Sequence, residues 1–194
     1  MPSATRLASG GMEPVLVSEL LAPHGPPPVY RPVDVGGPAA WFDLLRRGAL
    51  RAVTDEVSVP ALRRVTPQVR ARAIASRVPA GHVVCDASAV WVHCGGRPPA
   101  RLDVARRAGT RRLASDSAEI GGVLVTTPVR TAVDVAARLE TEQAVELLLA
   151  LAAAGTDLAA VGRRLEGRAR VVGRPAARVA LDAARRLAAG GAGA

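Results

Sequence analysis

The pattern of apolar residues changes at Thr126, from short runs to helical spacing, and this change limits the folds that the chain can adopt. Upstream, short apolar runs alternate with Pro and Gly, which is typical of short strands and helices joined by turns. Downstream, Thr127 and Pro128 form a helix start, because threonine caps the first turn and proline suits its first position. Apolar residues then recur at helical spacing in successive helices as far as Leu187. The pattern predicts an α+β protein in which a small mixed sheet packs with a C-terminal helical bundle.

The core must be built from leucine, valine and alanine. Hydrophobic residues make up 49% of the chain, but the aromatic residues provide only 2%. A chain of 194 residues has room for one domain of ordinary size and can bury such a core without covalent cross-links. Its two cysteines, Cys85 and Cys94, are too few for a disulfide framework.

The sequence divides into four segments. Residues 1–38, with many Pro and Gly, are predicted to be disordered or a linker, extended over 22–38. Residues 39–60 predict a helix and a small hairpin, which we interpret as a winged-helix-like remnant. Residues 61–187 form the main domain, and residues 188–194 are predicted to be a frayed tail.

Caps and turns place further elements. Thr66 caps a helix that begins at Pro67, and Asp86 or Ser88 caps the next helix. Thr141 and Asp157 are the predicted caps of two later helices. The remaining helices are predicted at about Ala39–Arg47, from Pro128 to Leu139 and at about Pro175–Leu187. Strand-like runs occur at Leu50–Val53, Val57–Val59, Val83–Cys85, Arg101–Ala105, Arg111–Ser115 and Gly122–Thr126, with a turn or short polar segment between the last two.

The absence of lysine excludes several enzyme classes. All 26 basic residues are arginine, so a P-loop, which needs a lysine after its second glycine, is impossible. A Schiff-base enzyme needs a lysine amine, and restriction-like nucleases typically place a lysine beside two acids. We therefore expect no enzyme activity, no catalytic residues and no cofactor. Asparagine is also missing, which indicates a bias in codon usage. We therefore attribute part of the net charge of +9 to this bias rather than to function.

The charges are segregated along the chain. Residues 61–112 carry eleven Arg and two acidic residues, whereas residues 113–160 carry two Arg and seven acidic residues. The basic region is expected to bind double-stranded DNA or an acidic protein, and the acidic region a basic partner or a second copy in a homodimer. The opposing interpretation is a solvated arginine-rich surface that reflects coding bias alone. The candidate DNA-binding residues are Arg46, Arg47, Arg51, Arg63, Arg64, Arg70, Arg106, Arg107, Arg111 and Arg112.

Other polar clusters are interpreted as ordinary residues. His82, Cys85, His93 and Cys94 lie within thirteen residues, but their spacing is poor for a metal site, and we expect no bound metal. A Cys–His nucleophile is equally weakly supported. Asp116 and Glu119 are interpreted as solvated surface residues. No signal peptide or membrane span is evident, and a cytoplasmic location is expected.

Three segments resemble a known family. They are "LLRRGALRAVTDEVSVP", "PQVRARAIASRVPAGHVVCDASAVWVHCG" and, most specifically, "GVLVTTPVRTAVDVAARL" at residues 122–139. Together they resemble the AbiEi-like antitoxins and transcriptional regulators of type IV toxin–antitoxin systems, over about residues 39–187. The resemblance implies a DNA-binding repressor and antitoxin with a cognate toxin, a winged-helix N-terminal part and an α+β antitoxin domain at 61–187. Some relatives continue into an endonuclease domain, which is not expected here.

The family motif falls on Thr127, Arg130, Thr131 and Asp134, which we interpret as structural first. Thr127 caps its helix, and Arg130 and Asp134, four residues apart, can form an ion pair. Two alternatives to a DNA-binding antitoxin stay open. One is a protein–protein interaction module that has lost DNA binding, and the other is a hydrolase or transferase whose site the sequence does not reveal.

Overall fold

The computed structural model describes residues 29–106, 113, 115–169 and 171–191. The α+β class is confirmed: a two-stranded hairpin, a four-stranded mixed sheet and a set of helices make up the described chain. The strands are β1 (Leu50–Thr54), β2 (Val57–Pro60), β3 (His82–Val84), β4 (Val104–Arg106), β5 (Ser117–Ile120) and β6 (Val123–Thr126). The helices are α1 (Pro38–Arg46), α2 (Pro67–Ile74), α3 (Asp86–Cys94), α4 (Pro128–Arg138), α5 (Thr141–Ala153), α6 (Leu158–Glu166) and α7 (Arg174–Gly191).

The N-terminal part is a helix that packs on the β1–β2 hairpin. Pro38 stands in the first turn of α1, and Trp41 is the side chain that α1 buries. The indole N–H of Trp41 donates to Ser58 Oγ at 2.9 Å, which satisfies this buried donor and ties α1 to β2. A helix followed by a hairpin is thus present where the sequence predicts it.

The larger sheet has the strand order β4-β3-β6-β5. Strands β3 and β6 are parallel, and each pairs antiparallel with its outer neighbour. The two central strands contribute Val83, Val84 and Val125, none of which has any exposed surface. The mixed sheet is therefore built around the apolar runs that the sequence shows.

The C-terminal helices enclose a core of leucine, valine and alanine. Leu148, Leu151 and Val161 are fully buried between α5, α6 and their neighbours. Helix α7 faces them with three alanines that have no exposed surface, Ala177, Ala180 and Ala184. Small side chains allow the helix axes to approach closely, and the predicted Leu/Val/Ala core is confirmed.

Part of the predicted linker is folded. Residues 1–28 lie outside the described residues, but Tyr30 and Ser58 exchange two backbone hydrogen bonds of 2.8 Å each. Residues Pro32–Val35 then form a 3-10 helix. The prediction of an extended linker is wrong for residues 29–38, because β2 offers an edge that the incoming chain pairs with.

Three further predictions need correction. Leu113 and Ser115 are helical, so the strand predicted at Arg111–Ser115 is wrong for these two residues, while residues 111, 112 and 114 lie outside the described part. The polar run Ser117–Ile120 forms an edge strand because it pairs with β6. Helix α7 continues to Gly191, past the predicted end at Leu187, since nothing in this Ala-rich stretch stops it earlier. Residues 192–194 lie outside the described part.

Two helix starts differ from those expected. Helix α3 begins at Asp86. Its first turn is capped by a carboxylate that is distant in the sequence, since Asp103 Oδ2 accepts from the backbone N–H of Ser88 at 3.1 Å. Helix α5 has Glu140 at the cap position, so Thr141 is its first residue. The caps Thr66, Thr127 and Asp157 are confirmed. Among the described helices, none combines the length and apolarity that crossing a bilayer requires.

Candidate nucleic-acid interface

Five arginines lie in the segments that flank the open end of the β1–β2 hairpin, and we call this group the hairpin rim. Helix α1 ends beside this opening, since the Ala49 carbonyl that follows it accepts from the Ala61 N–H at 3.0 Å. The Arg51 guanidinium donates to the Arg63 carbonyl across the same opening. The hairpin rim consists of Arg46, Arg47, Arg51, Arg63 and Arg64.

The rim arginines are exposed and carry little counter-charge. Asp43 lies 2.5 Å from Arg46 Nη2 and 2.6 Å from Arg47 Nε, while those two arginine side chains stay 75% and 69% exposed. Exposed ion pairs of this kind are weak and exchange readily for other anions. Within the described residues, no carboxylate pairs with Arg51, Arg63 or Arg64. The rim is therefore a cationic surface with one shared carboxylate.

Arg70 does not belong to this surface, and its burial argues against its assignment as a DNA-binding residue. Arg70 is 8% exposed, and its guanidinium donates to the carbonyls of Val65, Val92 and His93 at 2.9 Å each. Two of these carbonyls belong to the last turn of α3, where acceptors lack intrahelical partners. Arg70 is thus a buried cap for a helix C-terminus, which no local sequence signal distinguishes from a surface arginine.

The other predicted DNA-binding residues are not brought to the rim. Arg106 is exposed at the end of edge strand β4, opposite His82, and no described contact joins it to the hairpin. Arg107, Arg111 and Arg112 lie outside the described residues. The ten predicted positions therefore split into the five of the hairpin rim, one separate exposed residue, one buried residue and three that are not described.

The family-motif residues form a buried charge network. Arg130 Nε lies 2.6 Å from Asp134 Oδ2, so the predicted ion pair is confirmed. Thr127 Oγ1 accepts from the Arg130 N–H at 3.4 Å, and Thr131 Oγ1 lies 2.7 Å from Thr126 Oγ1. These contacts join β6 to α4. The cap by Thr127 and the Arg130–Asp134 pair are the contacts expected of these residues, and Thr131 adds a contact that was not predicted.

The network includes three residues that the sequence did not single out for it. Asp116, interpreted above as solvated, is 7% exposed and lies 3.1 Å from Arg130 Nη1. Arg164 also pairs with Asp116, and Arg168 Nη1 lies 3.5 Å from Asp134 Oδ1. Burial of charges is tolerated only when they are paired, which these contacts achieve.

The cysteines and the described histidines are not arranged for metal binding or nucleophilic attack. Among the described residues, no three His, Cys, Asp or Glu side chains are grouped as metal ligands. Burial, reinforced by the neighbouring Asp86 carboxylate, raises the pKa of Cys85 to about 12. Burial also raises the pKa of Cys94 and lowers that of His93. These shifts keep both thiols protonated near neutral pH, which disfavours a thiolate nucleophile.

Comparisons with known proteins identify no relative. No family model matches this chain, and no curated protein or solved structure matches it either.

Proposed function

We propose that this protein is a non-enzymatic, DNA-binding transcriptional regulator of the antitoxin type, and that the hairpin rim contacts the DNA backbone. The observation that carries the proposal is the presence of five exposed arginines at the open end of the hairpin, where one carboxylate, Asp43, pairs with two of them. Arginine forks match phosphate oxygens, and such contacts supply most of the sequence-independent affinity for DNA.

The arrangement of the rim suits a duplex. Arg46 is the last residue of α1, Arg47 is its C-cap, and Arg51 is the second residue of β1, so these charges lie where helix and hairpin meet. In winged-helix proteins the helix and the adjoining hairpin both contact the duplex. The antitoxin role, with a cognate toxin as partner, rests on the resemblance of residues 39–187 to the AbiEi-like family.

Fluorescence anisotropy with duplex DNA from the region upstream of its own coding sequence tests the proposal. Contact with five phosphates predicts that log K falls with log salt with a slope of about −4.5. The variants Arg51→Gln and Arg63→Gln are each expected to weaken binding and to make this slope shallower by about one unit. Arg186→Gln, an exposed arginine on α7, is the matched control and should leave both unchanged.

Two results would contradict the proposal. Binding that is absent, or insensitive to salt, would exclude a phosphate-contacting surface. If Arg46→Gln with Arg47→Gln bound normally while Arg106→Gln with Arg107→Gln did not, the DNA surface would lie at β4, and the hairpin rim would be the wrong assignment.

A second candidate is an interaction module that has lost DNA binding. It is favoured by Phe42, which is 62% exposed beside the rim and lines an apolar cleft of about 490 Å³ with Trp41 and Leu45. An acidic protein with one protruding apolar side chain would fit the rim and this cleft together. In that case Phe42→Ser would abolish binding of the partner, and the chain would show no affinity for duplex DNA.

A further inference from the structure

A second cationic site lies far along the chain from the rim, where α4 meets a loop of which residues 167–169 and 171–173 are described. The space between them is a cleft of about 570 Å³. Residues one and two turns apart on α4 form one wall, and the loop forms the other. The cleft is lined by Arg130, Asp134, Ala137, Arg138, Arg168, Val171 and Val172.

The loop is held firmly against the helix. Gly173 has a φ of +82°, and a Cβ at this position would lie 2.2 Å from the carbonyl oxygen of Ala137. Only glycine permits this approach, so the loop backbone rests directly on α4. The Arg174 guanidinium also donates to the Arg168 carbonyl. The wall that carries Arg168 is thus fixed by packing and by hydrogen bonding.

Arg168 is mostly buried but has unused donors. Its side chain is 16% exposed, and its nearest carboxylate oxygen, Asp134 Oδ1, is 3.5 Å away. No hydrogen bond from its guanidinium, which has five N–H donors, forms within the described residues. Within the described residues, no side-chain nitrogen or oxygen atom is fully buried without a hydrogen-bond partner. The N–H groups of Arg168 therefore reach the cleft.

The neighbouring charges favour an added anion. Arg130 is already bound by Asp116 and Asp134, and Arg138 uses only its Nη1 on Asp86, at 2.8 and 3.1 Å from the two oxygens. Burial, together with the positive charge of Arg130, lowers the pKa of Arg168. When Arg164, which also pairs with Asp116, is counted, four arginines face three aspartates, so the site holds one positive charge more than its aspartates neutralise.

We propose that this cleft binds the oxyanion head group, phosphate or carboxylate, of a small molecule. Arg168 and Arg138 supply the donors from opposite walls, and Val171 and Val172 contact the rest of the ligand. Val172, which is 94% exposed, marks the mouth of the cleft. This site shares no residue with the hairpin rim, so it stands or fails independently of DNA binding.

Isothermal titration calorimetry of the full chain with inorganic phosphate, and separately with acetate, tests the proposal at constant ionic strength set with chloride. One-to-one saturable binding of either anion is expected, and the stronger one identifies the head group. Arg168→Gln is expected to weaken this binding by about tenfold or more, because a charge-assisted donor is lost. Arg186→Gln, the same change on the exposed surface of α7, should bind as the unaltered chain does.

A second pair of variants keeps the test decisive if Arg168→Gln folds poorly. Val172→Glu places a negative charge at the exposed mouth and should weaken anion binding, whereas Val172→Gln should not. The proposal is overturned if neither anion gives saturable heat, or if both Arg168→Gln and Val172→Glu bind phosphate and acetate as tightly as the unaltered chain.

Discussion

Replacing Arg70 by methionine separates the buried arginine from the surface arginines. In the structure Arg70 donates to three carbonyls at 2.9 Å and contacts no carboxylate within the described residues. Methionine preserves much of the apolar volume of the side chain but removes every donor. The carbonyls of Val92 and His93, at the end of α3, would then lose their capping partner.

The size of the effect follows from the three contacts. A hydrogen bond that involves a charged group contributes about 1.5–3 kcal/mol. The full sum is not expected, because the variant no longer buries a guanidinium group and water can reach part of the helix end. We therefore expect a loss of about 3 kcal/mol in the free energy of unfolding. For a chain of this size that corresponds to a fall in Tm of about 6–12 °C.

The assay is urea unfolding followed by circular dichroism, with the fluorescence of Trp91, which lines the same small cleft as Arg70, as a second probe. Arg64→Met is the matched control, since Arg64 is exposed, and it should change stability by less than about 0.5 kcal/mol. The same two proteins are then compared for DNA affinity at a temperature where both are folded. Arg70→Met should bind as tightly as the unaltered chain, whereas Arg64→Met should bind more weakly.

The opposite pattern would refute this reasoning. If Arg70→Met kept its unfolding free energy within about 0.5 kcal/mol and lost DNA affinity, Arg70 would contact DNA at the surface, and its three hydrogen bonds would not stabilise the fold.

Two further predictions concern the turn before β6 and the pH dependence of stability. In urea unfolding, Gly121→Ala should destabilise the protein by about 1–3 kcal/mol more than Gly122→Ala. Both glycines have positive φ, but only at Gly121 would a Cβ lie 2.4 Å from the Gln68 carbonyl oxygen. Equal losses of unfolding free energy would show that α2 does not pack on this turn. Burial lowers the pKa of His93 below its ordinary 6.5, so the unfolded chain takes up a proton first, and His93 should make stability fall as the pH drops below about 6.5. His93→Gln should reduce the difference in unfolding free energy between about pH 7.5 and about pH 5.5. An unchanged difference in this variant would contradict the lowered pKa of His93.

Local signals predicted much of the fold. The pairs Thr66–Pro67 and Thr127–Pro128 mark helix starts, and the caps form as expected, because the hydroxyl and the N–H it accepts from are three residues apart. The hairpin at residues 50–60 forms where two short apolar runs flank a polar turn. Polar strand β5 was missed, since its strand state comes from pairing with β6 rather than from its own residues.

The candidate sites were predicted only in part for the same reason. The Arg130–Asp134 pair follows from a four-residue spacing on a helix. Asp116 and Arg164, which join the same network, are 48 residues apart, and no pattern in the sequence announces such a contact. Arg168 likewise reaches the cleft only because Gly173 brings its loop against α4.

The sequence by itself determined where helices start, which residues fill the core and that no lysine chemistry is available, because these depend on composition and on neighbours within one helical turn. Tertiary structure alone decided which arginines are buried and which are exposed. Arg70 and Arg64 look alike in the sequence, yet one caps a helix inside the protein and the other is exposed. The difference arises because burial of a guanidinium group depends on carbonyls and carboxylates that distant segments deliver, and only the folded chain brings them within hydrogen-bonding distance.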